Sequence, residues 1–363
     1  MMPNTPVSII FSGLLRDKDL FLRSLDAFRG MSGVEEIVLS TWDKEAQENL
    51  EFLTKLGSQY DLILAAVPEP QSWSGNMLSQ MMSLQVGLRR VPEGHRVLKT
   101  RTDVFIEPDA FAHVTGQDGK LRFPQNFARA RHIFEQRVWV WGMEATSPFY
   151  IHDLFFFGHK RDVAKLVNMD IRYDVMYQMS KERIHIRRFL HPFIYEFPIF
   201  ERFLHIENVL GATHEFPNEY RYSVLRQLLQ NDTYVRILAL YYKIASLYFS
   251  NDWGGGRVFE WRDQPEQVAF SAGMSISDIL MGQPRLKAIM PVGDDYFRRV
   301  AGGKYRECDI GRRFDDARAY LEGLTDIREA CLEADFDAFM EFAIAAGQTA
   351  LGEVKDKFNP GET

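Results

Sequence analysis

The chain has 363 residues, a formal net charge of −7 and 46% hydrophobic residues. This length suffices for one large α/β domain or for one domain with a helical extension, and the composition excludes a largely disordered chain. The acidic balance argues against a nucleic-acid-binding protein, which usually presents a basic surface. The two cysteines, Cys308 and Cys331, show no metal-binding spacing, so neither a zinc site nor a disulfide framework is expected.

The N-terminal segment and the hydropathy of the chain indicate a cytoplasmic protein. The first six residues lack the charged region of a signal peptide and lead directly into a short apolar run. No stretch approaches the roughly 18 unbroken apolar residues of a membrane span. Aromatic and basic residues are mixed between Phe149 and Phe203. This mixture favours a crowded core, with a peripheral contact at the inner face of the membrane as the alternative.

The first hundred residues alternate between strand-like and helix-like segments. Apolar runs that stop at polar residues or proline predict four strands, at Val7–Phe11, Ile37–Thr41, Leu62–Val67 and His95–Ile106. Amphipathic segments between them predict three helices, the first capped by Asp17 and the third covering residues 76–90. This alternation predicts a largely parallel sheet with right-handed crossovers.

Beyond residue 106 the regular alternation is lost. Short strands are expected at Leu121–Phe123 and Ile151–Gly158, with a loop-rich aromatic segment between them. Helices are expected over about 175–250 and from 313 to about 357. No linker is visible, so we expect a core of residues 1–170 and a helix-rich region, residues 171–363, packed on it.

Polar residues stand at the exits of three of the four predicted strands: Ser12–Gly13, Thr41–Asp43 and Arg101–Asp103. Ligands of parallel α/β sheets bind at the carboxyl ends of the strands, so these exits are expected to line one edge. Alternation along the fourth strand puts Lys99, Arg101 and Asp103 on one face. Two cations and a carboxylate there suit a phosphate-rich ligand, with or without a divalent metal. An ordinary surface strand with an Arg–Asp pair is the alternative.

The order and spacing of these segments resemble GT-A-type nucleotide-sugar glycosyltransferases and, more specifically, WavE-type lipopolysaccharide-synthesis proteins. The matching pieces are Ser8–Gly13, Ile37–Asp43, Asn76 through Gln80 to Leu88, Val97–Asp103 and His152–Gly158, with a weaker similarity at Phe200–Leu204. The resemblance implies an α/β, GT-A-like (Rossmann-like) fold: a mostly parallel sheet flanked by helices, with a helical C-terminal extension.

The resemblance also implies an enzyme, a glycosyltransferase. The implied donor is a nucleotide-diphosphate sugar, and the acceptor is a glycan or lipid-linked glycan of bacterial surface polysaccharide or lipopolysaccharide. It leaves open the donor base and sugar, and whether the anomeric configuration is retained or inverted.

The metal motif of such enzymes is changed in this chain. The usual Asp-x-Asp is Arg101-Thr102-Asp103, so a cation replaces the first acid. Asp103 is the candidate ligand for Mg²⁺ or Mn²⁺ bridging the donor diphosphate, and a salt bridge to Lys99 or Arg101 is the alternative. Lys99 and Arg101 would stabilise charge on the leaving nucleoside diphosphate. Metal dependence stays open.

Five further residues are candidate donor contacts. Ser12 and Gly13 would let the backbone approach the nucleotide, unless they form a plain turn. Asp43 would accept hydrogen bonds from the ribose or base, or cap the helix that follows it. Gln80 would face the nucleotide from its helix, or serve as a buried structural amide. Asp252 would approach the donor from a glycine-rich loop.

Two carboxylates are candidates for catalysis. Asp153 is the candidate base, because an inverting transfer needs a carboxylate to take the proton of the acceptor hydroxyl. Its alternative role is to orient His152 or to cap a loop. Glu201 is the candidate second base or acceptor contact, and pairing with a neighbouring arginine is its alternative, since a buried unpaired acid is costly.

Two other functions compete with glycosyl transfer. A non-catalytic nucleotide-sugar-binding subunit of a polysaccharide assembly system stays open because the first acid of the metal motif is missing. A nucleotidyltransferase shares the sheet but usually has a more glycine-rich phosphate loop.

The chain has neither a Walker loop nor a nucleophile elbow. A glycosidase would also use paired acids, but the cationic strand end favours a phosphorylated donor.

Overall fold

The structure is a computed structural model that describes most of the first 170 residues and parts of the remainder. The described residues are 5–70, 77–141, 154–167, 191–200, 224, 227–228, 230–254, 257–262, 313, 316–317, 319–329 and 336–358. The predicted boundary at residue 170 lies outside them.

A seven-stranded, mostly parallel sheet forms the centre of the described fold, with strand order β3-β2-β1-β4-β7-β6-β8. In chain order the strands of the structure are β1 (Val7–Ser12), β2 (Val34–Trp42), β3 (Ile63–Val67), β4 (Arg96–Thr100), β5 (Val104–Ile106), β6 (Val138–Val140), β7 (Phe156–His159), β8 (Phe249–Ser250) and β9 (Phe259–Trp261). Only β7 runs antiparallel to its two neighbours in this sheet. The α/β class and the largely parallel sheet are therefore confirmed.

Helices cover both faces of this sheet. They are α1 (Lys18–Arg29), α2 (Asp43–Glu48), α3 (Leu50–Tyr60), α4 (Met77–Leu88), α5 (Pro108–Thr115), α6 (Lys160–Lys165), α7 (Asp232–Tyr248) and α8 (Phe336–Phe358), with short 3₁₀ helices at Gln125–His132 and His191–Phe193. The side chain of Asp17 caps α1 by accepting the N–H of Leu20 at 2.9 Å, as predicted. None of the helices in these ranges has the length and apolarity needed to cross a membrane.

The sheet is buried on both faces, which explains the nearly continuous apolar runs of its strands. All six residues of β1 are buried, and alternate residues point to opposite cores. On one face, three edge-to-face ring contacts and one tilted contact connect Phe11, Phe21, Phe28, Phe111 and Phe157. On the other face, sheet residues share one cluster with the described parts of α7 and α8. Described residues of α7 and α8 therefore share an apolar core with this face of the sheet.

The predicted fourth strand is wrong in its length. Strand β4 ends at Thr100, and the chain turns at Arg101–Asp103 before β5, which pairs antiparallel with β9 in a separate two-stranded sheet. The N–H of Val104 closes the turn by donating to the Arg101 carbonyl at 3.3 Å, and polar side chains of the turn make bonds of their own. The hydroxyl of Thr102 donates to the carbonyl of Leu14 at 2.6 Å, and Arg101 pairs with Asp103. The expected shared face of Lys99, Arg101 and Asp103 is lost, because the alternation stops at Thr100.

Other boundaries also differ from the predictions. Residues 121–123, predicted as a strand, have no regular structure, and Val138–Val140 forms β6 where a loop was expected. The second predicted helix is divided at Asn49 into α2 and α3. The expected C-terminal helix is interrupted, because residues 324–328 are not helical.

Candidate functional site

Three parallel strand exits meet at the carboxyl edge of the sheet, as predicted. Strand β1 lies between β2 and β4, with Ser12 opposite Ser40 and Phe11 opposite Thr100. The hydroxyl of Ser12 lies 3.5 Å from the Thr100 carbonyl oxygen, and the N–H of Gly13 donates to the Ser40 carbonyl at 2.9 Å. Gly13 has φ +106°, a backbone conformation that favours glycine.

The loop after β1 is held to both neighbouring exits. The N–H of Leu15 donates to Glu45 Oε1 at 3.0 Å, on the side of β2. The N–H of Arg16 donates to Thr102 Oγ1 at 3.1 Å, on the side of β4. Because of these two hydrogen bonds, residues 13–16 cross the end of the sheet, and the main chain of Arg16 lies beside the turn that follows β4.

A buried carboxylate surrounded by guanidinium groups lies at this turn. Arg101 binds both oxygens of Asp103, with Nε–Oδ1 at 2.8 Å and Nη2–Oδ2 at 2.7 Å. Arg262 Nε donates to Oδ2 at 2.5 Å, Trp261 Nε1 lies 3.4 Å from the same oxygen, and Arg16 Nη1 lies 4.0 Å from it. We refer to Arg16, Arg101, Asp103, Trp261 and Arg262 as the arginine cluster.

The arginine cluster carries an excess of positive charge. The side chain of Asp103 is fully buried, whereas those of Arg16, Arg101 and Arg262 are 31%, 13% and 43% exposed. Burial alone would raise the pKa of Asp103, but hydrogen bonds and charges from Arg101 and Arg262 outweigh it and hold this pKa below its ordinary value. One ionised carboxylate faces three guanidiniums that reach solvent, an arrangement suited to binding an anion.

The residues present do not fit a divalent metal at Asp103. Both carboxylate oxygens already accept hydrogen bonds from arginine, and a dication would meet three guanidinium charges. Within the described parts of the chain, no group of three or more His, Cys, Asp or Glu side chains is arranged to hold a metal ion. Of the two roles considered for Asp103, this arrangement supports the pairing with Arg101. Metal binding at Asp103 stays a prediction without support from the geometry.

Lys99 is not part of the arginine cluster. Its side chain is fully buried, its Nζ donates to the carbonyl of Leu154 at 3.2 Å, and this nitrogen lies 5.5 Å from the centre of the Phe156 ring. These contacts direct the ammonium toward β7. A direct contact between Lys99 and a donor would therefore require a change in packing.

Helix α4 brings Gln80 to the exits of β1 and β2. One turn after Gln80, the Ser83 hydroxyl accepts the N–H of Gly13 at 3.0 Å and donates to the Ser40 carbonyl at 2.7 Å. Gln80 Oε1 is buried and has no hydrogen-bond partner among the residues that the structure describes. An unpaired buried amide oxygen is costly, so a ligand donor at this position would offset the cost.

Two more predicted contacts are placed by the structure. Asp43 follows β2 directly as the first residue of α2, and it does not cap that helix, because the cap position is Trp42. Asp43 stays a candidate donor contact at the edge of the sheet. Asp252 is exposed and lies outside the arginine cluster, with Oδ1 3.2 Å from His113 Nε2 on α5. Asp153 and Glu201, the two candidate catalytic carboxylates, lie outside the described residues.

Three cluster residues were not among the predicted site residues. Arg16 could have been predicted from its position in the sequence, because it lies in the loop that leaves β1 three residues after Gly13. Nothing in the local sequence marks Trp261 and Arg262 as site residues, since they reach the site through the pairing of β9 with β5. The N–H of Arg262 also donates to the carbonyl of Asp103 at 3.2 Å, which fixes the end of β9 at the turn.

Comparison with known proteins adds no assignment to this geometry. No protein-family model matches the chain, and no curated protein is significantly similar to it.

Proposed function

We propose that this protein is a GT-A-type glycosyltransferase, similar to WavE-type lipopolysaccharide-synthesis proteins. In this proposal it moves a sugar from a nucleotide-diphosphate donor to a bacterial surface polysaccharide or lipopolysaccharide acceptor. The observation that carries the proposal is the arginine cluster, with its excess of positive charge, where β1, β2 and β4 end side by side. Ligands of parallel sheets bind at such an edge, and a donor diphosphate is the charge that it suits.

The sheet supports the proposal at the level of the fold class. A seven-stranded, mostly parallel sheet flanked by helices is compatible with a GT-A-like, Rossmann-like fold. In such a fold the nucleotide would lie across the exits of β1 and β2, near Ser12, Gly13, Asp43 and Gln80. The buried Oε1 of Gln80, unpaired among the described residues, would accept a hydrogen bond from the nucleotide.

The proposed reaction assigns one task to each part of the site. The acceptor hydroxyl attacks the anomeric carbon, and the bond from that carbon to the diphosphate oxygen breaks. Charge then develops on the leaving nucleoside diphosphate, where Arg16, Arg101 and Arg262 would stabilise it. In an inverting reaction the hydroxyl proton passes to a carboxylate, for which Asp153 is the candidate, with Glu201 as second base or acceptor contact. A retaining reaction would not need this base.

The acceptor and the cellular location belong to the same proposal. A glycan or lipid-linked glycan would approach from the aromatic region between residues 150 and 250. The protein would then work in the cytoplasm, at the inner face of the membrane.

Donor turnover tests the proposed function. Purified protein is incubated with UDP-, GDP-, CMP- and ADP-sugars, with and without Mn²⁺, and released nucleotide is measured with and without cell-extract glycans as acceptors. We expect release with one donor class, reduced about tenfold or more in Arg262→Gln. The matched control is Arg257→Gln, because Arg257 has a similar exposure but pairs with Glu107 and Glu260.

One observation supports an alternative function. The residues at Asp103 do not fit a metal, so the non-catalytic nucleotide-sugar-binding subunit stays a candidate. Tight donor binding without nucleotide release, with every donor and acceptor mixture, would favour that subunit over the enzyme.

A further inference from the structure

We infer that the arginine cluster binds a diphosphate group directly, without a bridging divalent metal, and that Asp103 is the positioning residue that holds the arginines in place. This inference rests on the proposed function for the identity of the ligand as the diphosphate of a nucleotide sugar. It gives the carboxylate of Arg101-Thr102-Asp103 a role different from that of a metal ligand.

N–H donors already use the carboxylate oxygens of Asp103. A carboxylate offers about four lone-pair sites. Arg101 Nε takes Oδ1, and Arg101 Nη2, Arg262 Nε and Trp261 Nε1 approach Oδ2 at 2.7, 2.5 and 3.4 Å. Oδ2 is therefore fully used by three N–H donors, and Oδ1 accepts a fourth within a fully buried side chain. A metal would have to replace these contacts at Oδ2.

Several guanidinium N–H groups of Arg101 and Arg262 remain for a ligand. A guanidinium has five N–H groups in a planar fork that matches phosphate oxygens. Arg101 uses two nitrogens on Asp103, and Arg262 uses only its Nε there. The remaining N–H groups of both side chains are available to phosphate oxygens, and both side chains are partly exposed.

Main-chain hydrogen bonds also fix the positions of the arginines. The N–H of Arg262 bonds the carbonyl of Asp103, and the N–H of Arg16 bonds the hydroxyl of Thr102. All three arginines are thus fastened to the turn that carries Asp103. A site assembled before the ligand arrives loses less conformational entropy on binding than one that must be ordered.

The charges at this turn also favour an anion. Arg101 and Arg262 carry two positive charges against the single negative charge of Asp103, which leaves the turn positive toward the two or three negative charges of a diphosphate. A dication at the same turn would add to the positive charge and compete with the arginines for the phosphate oxygens.

Pyrophosphate binding tests the inference without requiring any sugar transfer. Binding of inorganic pyrophosphate to the full-length protein is measured by isothermal titration calorimetry in EDTA, and again with saturating Mg²⁺ or Mn²⁺, with orthophosphate as a weaker comparison ligand. We expect pyrophosphate to bind in EDTA, and the metals to weaken binding by neutralising the ligand. Arg262→Gln should raise the Kd about tenfold, whereas Arg257→Gln should leave it within twofold.

Asp103→Asn separates positioning from metal binding. An asparagine amide has one oxygen, so whichever way it points, its NH₂ group meets a guanidinium N–H that the carboxylate now accepts. We expect this variant to bind pyrophosphate about tenfold more weakly in EDTA, as the arginines lose their fixed positions. Circular dichroism and thermal unfolding verify that the variant is folded. If it is not folded, Arg262→Gln decides the test alone.

The outcomes distinguish failure of the metal-free site from failure of the proposed enzyme. Pyrophosphate binding that needs a metal, or that Arg257→Gln and Arg262→Gln weaken equally, overturns the metal-free site but leaves a glycosyltransferase possible. Metal-free pyrophosphate binding with no turnover of any donor sugar supports the site and counts against the enzyme.

Discussion

Arg101 and Asp103, two residues apart, form a two-point ion pair with Nε–Oδ1 at 2.8 Å and Nη2–Oδ2 at 2.7 Å. This pair ends β4 and turns the chain toward β5. It also buries a carboxylate, to which Arg262 is joined from the end of β9. The ion pair of Arg101 with Asp103 therefore lies at the end of β4, and Arg262 from the end of β9 binds the same carboxylate.

The first prediction concerns the stability of this turn. Asp103→Ala removes the common partner of Arg101 and Arg262 and leaves their charges partly buried. We expect the free energy of unfolding to fall by about 3 kcal/mol. Equilibrium urea unfolding measures it, with Glu48→Ala as the control, because Glu48 forms an ion pair with exposed Lys44 and its loss should cost under about 0.5 kcal/mol. Equal losses in the two variants would contradict a structural role for the carboxylate.

The second prediction uses two buried aspartates that should respond to pH in opposite directions. The arginines lower the pKa of Asp103 against the effect of burial, so its ionised form stabilises the fold above about pH 4, and this contribution is lost in more acidic solution. Burial raises the pKa of Asp162, although the carboxylate accepts the N–H groups of Glu135 and Gln136. Its contribution is therefore largest below about pH 4 and falls as the pH rises.

Urea unfolding between pH 3 and 7 measures the pH dependence of both stability contributions. The stability of the unmodified protein relative to Asp103→Asn should decrease as the solution is acidified. Its stability relative to Asp162→Asn should increase over the same change. Parallel slopes for the two variants would show that the two carboxylates do not sit in the different environments described above.

The third prediction concerns the close packing of α4 on the sheet. A Cβ on Gly87 would lie 2.6 Å from Ile10 Cγ2 and 3.3 Å from Ser40 Cβ, so Gly87→Ala should destabilise the protein by about 2 kcal/mol. Gly57 in α3 is the matched control, since a Cβ there meets only the Leu62 carbonyl oxygen at 4.0 Å. Gly57→Ala should instead stabilise by about 0.5–1 kcal/mol, from helix propensity alone. Thermal unfolding of both variants decides, and a stabilised Gly87→Ala would refute the close contact.

The parts of the fold that follow local rules were predictable from the sequence. The Asp17 cap of α1, the helix α4 and the first three strands depend on neighbouring residues, and their parallel order follows from the alternation. The meeting of three strand exits then follows from the sheet. These predictions needed no knowledge of distant contacts.

The centre of the candidate site was not predictable in the same way. Strand alternation aligned Lys99 with Asp103, but a turn with its own polar bonds replaced the end of that strand. Trp261 and Arg262 approach Asp103 from more than 150 residues away, through a pairing of two three-residue strands. Such short strands carry little periodic signal, so the arginine cluster became visible only in the folded chain.

The last prediction separates binding from stability at Gln80. Its Oε1 is buried without a partner in the described part of the chain, so Gln80→Met, of similar length, removes an unsatisfied polar atom. We expect the free energy of unfolding to stay within about 0.5 kcal/mol or to increase, because replacing an unpaired buried group by an apolar one relieves its desolvation cost.

If Gln80 accepts a hydrogen bond from the nucleotide, the same variant should bind the nucleoside diphosphate about tenfold more weakly, as measured by calorimetry. Gln85→Met is the control, because Gln85 is exposed on the same helix and should change neither quantity. Loss of stability with unchanged nucleotide binding would make Gln80 a structural amide. Weaker binding at unchanged stability would place the nucleotide at the exits of β1 and β2, beside the arginines of the β4 turn.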